Sequence, residues 1–143
     1  MAMNHDHPGA RATSRPRPLS PDLQVYRPTL TMTMSIAHRT TGVALYIGLA
    51  GLVGWLAAVA IGPNAYASAQ WMMATPPGLV ILFGFTWAIF HHVLGGIRHL
   101  IWDTGHAHTY PWREYLARAT IIGSTSLAMI FWVARYWTWR VGL

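Results

Sequence analysis

Apolar residues run along the chain in three long blocks. Val43 to Gly62 is a block of 20 residues without a charged side chain. Leu79 to Ile97 is one of 19, interrupted only by His91 and His92, and Ala119 to Ala134 is one of 16 that stops at Arg135. A hydrocarbon core about 30 Å thick takes roughly 20 helical residues to cross, so each block suffices once its ends are extended a little. The pattern predicts an all-α membrane protein with three transmembrane helices, over about 33–62, 78–103 and 117–139. Between the first two lies PNAYASAQWMMATPPG, residues 63–78, which carries no charge and reads as a linker.

The polar pattern orients these spans. Arg11, Arg15, Arg17, Arg27 and Arg39 precede or open the first helix, and Arg98, Arg113 and Arg118 surround the second linker. Basic residues concentrate on the cytoplasmic side, so the N-terminus and second linker are expected there and the uncharged linker outside. Arg135 and Arg140 then fall outside, a mild violation that the five earlier arginines outweigh. Residues 1–16 read as a disordered tail, since the segment is polar and lacks the apolar region of a signal peptide. A mitochondrial transit peptide fits less well than a mature bacterial N-terminus, because the segment is short and contains Asp6. Residues 17–32, rich in Pro and polar groups, read as a segment lying along the membrane surface, with a solvated linker as the alternative. Residues 33–143 form the three-helix anchor.

Composition narrows the chemistry. Hydrophobic residues make up 53% and charged residues 10% of the 143, against about 25% charged in a soluble domain. All ten basic residues are Arg, and against four acids they give a net charge of +6. They are scattered, which points to membrane orientation rather than nucleic-acid binding. With no Cys, the chain holds no disulfide, thiolate-bound metal or iron–sulfur cluster. A metal or metal cofactor has to be held through His. Eight Trp and six Tyr suit the aromatic belts of a lipid–water boundary.

The stretch HHVLGGIRHLIWD, residues 91–103, carries imidazoles into the second span. Because the first two helices run in opposite directions, Ser35, His38 and Arg39 at the start of one meet Arg98, His99 and Asp103 at the end of the other. Ser35, His38 and Arg39 stand at i, i+3 and i+4 and share a side. His92 and His99, seven apart, share a face with about 10 Å between them along the axis. His92 lies 11 residues before Asp103, roughly 16 Å into the bilayer, and ionisable groups at that depth face the protein interior and mark function. Adjacent His91 points about 100° away. Gly95 and Gly96 open space for something flat to lie against the backbone, or else form a close helix contact. Arg98, His99 and Asp103 are candidates either for ligand binding or for snorkelling to the interface.

These residues point to a neutral His92 as an axial iron ligand, with its other ring nitrogen bonded to fix the tautomer. A six-coordinate haem then needs a second ligand from elsewhere. Arg39 and Arg98, with His38 and His99, are placed to neutralise haem propionates. Ser35 can bind a quinone carbonyl arriving laterally from lipid.

RPLSPDLQVYRPTLTMTMSIAHRTTG and HVLGGIRHLIWDTG resemble the two signatures of the succinate dehydrogenase (complex II) cytochrome b subunits, the larger membrane anchors of that enzyme. The first runs from Arg17–Pro18 through Leu23 to Ser35, His38–Arg39 and Thr41; the second runs from His92 through Gly96–Ile97–Arg98–His99 to Trp102–Asp103 and Gly105. The resemblance covers the three-helix layout and the whole length. It implies a helical bundle with a second anchor subunit, and a haem b whose axial ligand is His92 and whose second ligand belongs to that partner. Ser35 and Arg39 fall on quinone-site positions. His38, Arg39 and His99 fall where haem propionates are held or the quinone pocket is lined.

The family's flavin and iron–sulfur clusters reside in a flavoprotein and an iron–sulfur subunit, and residues 17–32 are expected to contact the latter. The implied activity is that of a subunit of succinate:ubiquinone oxidoreductase, serving the tricarboxylic acid cycle and aerobic respiration in a bacterial cytoplasmic membrane and not catalytic alone. A haem-free quinone-binding anchor, a fumarate reductase anchor, and a small transporter or assembly protein with a histidine proton path are the rival expectations. His91 has no counterpart in the motif and is expected to pack against another helix.

Overall fold

A computed structural model describes residues 28–142. The tail and most of the surface segment, residues 1–27, lie outside the described residues.

Four helices follow one another: α1 (Leu30–Ile61), α2 (Pro63–Ala74), α3 (Pro76–Asp103) and α4 (Trp112–Val141). Three of them, α1, α3 and α4, are long and apolar enough to cross a membrane. The chain is therefore an all-helical, multi-pass membrane protein. At 1.5 Å per residue the 32 residues of α1 reach about 48 Å, well beyond a hydrocarbon core of about 30 Å.

Each helix begins where the local chemistry allows. The Thr29 hydroxyl accepts from the Met32 backbone N–H at 3.4 Å, which starts α1 earlier than the apolar pattern predicts and takes residues 30–32 from the surface segment into the helix. Thr75 caps α3 in the same way through the Gly78 N–H, with prolines at its first positions, where no N–H is needed. α4 starts at Trp112, five residues before the expected boundary, with Glu114 in its first turn.

The uncharged linker is a helix, which the sequence reading missed. Gly62, at φ 133°, takes a conformation that side-chain-bearing residues rarely adopt, so the chain can end α1 and restart at Pro63. Ala, Gln and Met then favour helix over loop. Tyr66 meets Trp55 of α1 edge-on, ring centroids 6.2 Å apart.

α3 is central, packing on α4 most extensively and on α1 next. Its buried face is Ala88, His91, Gly95 and Arg98, and the facing stripe of α4 is Ala117, Thr120, Ser124 and Ala128. The 3- and 4-residue spacings put each set on one side of its helix, and small side chains allow the close approach that holds membrane helices together. Large apolar residues such as Tyr46, Val80 and Ile122 point outward, as expected of a surface solvated by lipid.

Candidate functional site

The polar end of α1 and that of α3 do meet, through histidine. The His38 and His92 rings stack, centroids 4.1 Å apart and planes 6° from parallel. A carbonyl can only accept, so the polarity of their bonds is settled: His38 donates its Nε2–H to the His92 carbonyl at 3.2 Å, and His92 donates its Nδ1–H to the His38 carbonyl at 3.2 Å. The two residues bind each other's backbone reciprocally across the α1–α3 seam. The Thr41 hydroxyl donates to the same His38 carbonyl at 2.9 Å and stands 3.4 Å from His92 Nδ1, where its lone pair shares that proton.

This arrangement fixes the His92 tautomer. With Nδ1 carrying the proton, Nε2 holds a lone pair. It has no hydrogen-bond partner among the described residues, and it is not among the enclosed unpaired atoms, so it reaches the molecular surface. A neutral imidazole with Nδ1–H held by a carbonyl and Nε2 open has the donor chemistry of a metal ligand. Among the described residues, no three His, Cys, Asp or Glu side chains are grouped to hold a metal by themselves.

The other sequence candidates divide. His99 joins the cluster, its ring 5.3 Å from His38 and edge-on to Trp102 at 5.3 Å and 88°. Ser35 is half-buried and Arg39 exposed, neither side chain making a hydrogen bond among the described residues. Asp103 ends α3 and is exposed. Arg98 is only 2% exposed, on the buried side of α3 with Ala88, His91 and Gly95, and its guanidinium stands 5.2 Å from the Trp102 ring centre.

Gly95 and Gly96, read as making room together, have separate surroundings. A Cβ on Gly95 would run into the His38 ring, whereas one on Gly96 would meet nothing within 4 Å. The space at Gly95 is thus filled by an imidazole of this chain. Gly42 plays the matching part on α1, where a Cβ would lie 3.1 Å from His92 Cε1.

His91 packs on α4. Ser124 donates its hydroxyl to the Ile121 carbonyl at 3.0 Å, so its oxygen accepts from His91 Nδ1–H at 3.3 Å. The Trp87 ring stacks on the imidazole at 4.8 Å.

Comparison with known proteins agrees with this layout. Residues 13–134 match the model of the family described as succinate dehydrogenase/fumarate reductase transmembrane subunit. The chain belongs to that family. It is 41% identical over 114 residues to the succinate dehydrogenase cytochrome b556 subunit of Paracoccus denitrificans, covering 80% of this chain and 88% of the relative. It is 33% identical over 117 residues to the subunit of the same name from Rickettsia conorii, covering 82% and 91%. To the mitochondrial cytochrome b560 subunit of Sus scrofa it is 39% identical over 99 residues, covering 66% and 57%. As a cytochrome b anchor of succinate dehydrogenase, the chain is a membrane subunit of an oxidoreductase and not its catalytic part.

Sequence reasoning passed over three residues of the site. Thr41 and Trp102 stand in the two signatures without an assigned role. His108, in the loop after α3, donates from Nε2 to the Trp102 carbonyl at 2.7 Å, and only the turn at Gly105 brings it there.

Proposed function

We propose that this subunit ligates haem b through Nε2 of His92 and forms part of a ubiquinone-reduction site at the cytoplasmic ends of α1 and α3. The observation that carries this reading is the His92 tautomer, with Nδ1–H committed to the His38 carbonyl and Nε2 open at the surface. A second ligand to the haem would come from the second anchor subunit. Haem b supplies a one-electron redox centre beside the quinone when bound.

The chain's own groups then have distinct tasks. His38 holds His92 in orientation through the two reciprocal bonds, and Thr41 reinforces the shared carbonyl. Ser35, one helical turn from His38, offers a hydroxyl to a quinone carbonyl. Arg39 presents a guanidinium without an ion pair among the described residues, on the exposed side of the same turn, and stabilises negative charge developing on the quinone oxygens. Arg98 and His99 neutralise the propionates. The flavoprotein and iron–sulfur subunits deliver electrons from succinate, and the N-terminus and second loop face the cytoplasm of a bacterium.

Purification of the complex with its partners, followed by a reduced-minus-oxidised spectrum and a succinate:ubiquinone assay, tests this directly. A Soret band of bis-imidazole character with quinone reduction is expected. Quinone reduction without that band would make the chain a haem-free anchor, and activity without a flavoprotein partner would remove it from this function altogether.

A further inference from the structure

Between the first two spans, α2 covers much more length than height. The register of α1 on α3 shows this. A Cβ on Gly95 would meet the His38 ring, and one on Gly48 the Phe85 ring, so those pairs stand level. Counting along both helices from these contacts, Pro76 at the start of α3 stands about level with Ala57, roughly 6 Å short of Ile61 where α1 ends, at 1.5 Å per residue. The 12 residues of α2 reach about 18 Å. A helix that long with so small a drop runs across the spans, close to the plane of the membrane.

α4 supplies its depth. His91 bonds Ser124 and Phe83 meets Trp132 edge-on, which sets Pro76 about level with Trp139. Tyr136, Trp137 and Trp139 are exposed at that level, and Tyr115 is exposed toward the other end of α4. Tyr115 and Tyr136 are 21 residues apart, about 32 Å along a helix and close to the thickness of a hydrocarbon core. Exposed Tyr and Trp at such a separation mark the two lipid–water boundaries. α2 therefore lies at one of them, on the side of the membrane away from His38 and His92.

Its chemistry suits that depth. Residues 63–78 carry no charged side chain, so no ion has to be desolvated to bring α2 against lipid. Ala65, Ala69 and Met73, spaced four apart, form its less exposed side, and the Tyr66 ring rests against Trp55 of α1. The Ser68 hydroxyl donates to the Asn64 carbonyl and the Gln70 amide to the Tyr66 hydroxyl, so polar side chains of the helix bond within it. What faces outward is apolar: Trp71 is 74% and Met72 63% exposed, and with Ala67 and Ser68 they line an open groove.

We propose that α2 is an interfacial helix, embedded in the headgroup–acyl boundary of the leaflet opposite the histidine cluster, with Trp71 and Met72 among the acyl chains and a phospholipid seated in the groove. The occupant of this face is lipid rather than water or a partner subunit. The proposal is independent of the haem reading of His92.

The absence of Cys from this chain makes depth measurable. Trp71→Cys and Met72→Cys, each carrying a nitroxide spin label in the assembled complex in phospholipid vesicles, are compared for collision with oxygen, which concentrates in lipid, and with a water-soluble nickel chelate; the unmutated complex put through the same labelling supplies the background from other subunits. Both labels are expected to show an oxygen-to-chelate ratio several-fold above that of the free label in buffer. A ratio equal to that of the free label would put α2 in water, and labels immobilised and shielded from both reagents would put a partner subunit on this face; either result overturns the proposal. Should the Cys variants not assemble, Trp71→Phe is set against the unmutated complex in vesicles whose lipid is brominated high on the acyl chain. Loss of a bromine-quenched component of the tryptophan fluorescence supports lipid contact, and unchanged quenching overturns it.

Discussion

His91 and His92 are neighbours of one residue type on one helix, yet they live in different seams. His91 faces α4 and is 1% exposed; its Nδ1 bonds Ser124 and its Nε2 is walled in. His92 faces α1 and is only half-buried; its Nδ1 is bonded and its Nε2 reaches the surface. If His92 is the ligand, as proposed, depth of burial points to the other histidine. What matters is a nitrogen whose lone pair is both defined by a second-shell bond and left open, and α1 supplies that bond through a backbone carbonyl that side-chain substitution cannot remove.

The sharpest way to break the comparison is to delete the imidazole at 92. His92→Ala is expected to abolish the haem Soret band of the purified complex, read against protein content. If the band persists unchanged, the ligand lies elsewhere and the two seams lose their functional distinction.

The distinction was legible in part. Three spans, the approach of His38 to His99 across the antiparallel helices, and the divergence of His91 from His92 all follow from helical period and block length, because those depend on local geometry alone. The helix over residues 63–74 was hidden, since a charge-free, Pro-flanked stretch resembles a turn until Gly62 is seen to reset the chain direction. The job of Gly95 was hidden for another reason: that its space holds His38 is a fact about two residues 57 positions apart, on different helices.

On the α1 side, exposure separates roles within a single turn. Arg39 is exposed and forms no ion pair among the described residues, while His38 is tied to α3, so Arg39→Ala is expected to lower ubiquinone reduction on the order of 100-fold, as removal of a charge-stabilising donor does elsewhere. Dye-linked succinate oxidation should stay near its original rate; loss of both activities would indicate failed assembly. The seam itself is probed by Gly95→Val, which pushes into the His38 ring. Overpacking of this kind costs about 1–3 kcal/mol, and thermal unfolding of the complex should report it together with partial haem loss. On the α4 side, His91→Leu removes one interhelical bond, worth about 0.6 kcal/mol in membrane helices, and leaves Ser124 bonded to Ile121. A small drop in thermal stability with full haem content is expected, and haem loss there would erase the contrast between the two histidines.

The smallest effect is expected one residue from one of the largest. Gly96 belongs to the same glycine pair as Gly95, but a Cβ there meets nothing within 4 Å. Within this chain Gly96→Ala therefore creates no clash, and Ala gains helix propensity of up to about 1 kcal/mol over Gly. In the isolated subunit its stability should be equal to or slightly above that of the unmutated chain. In the assembled complex the same open space borders the His92 face, and a loss of haem or of partner binding there, with the isolated chain unharmed, would show that Gly96 makes room for a neighbour whereas Gly95 makes room for His38. Circular dichroism melts of the subunit alone, set beside haem content of the complex, separate those two uses of glycine.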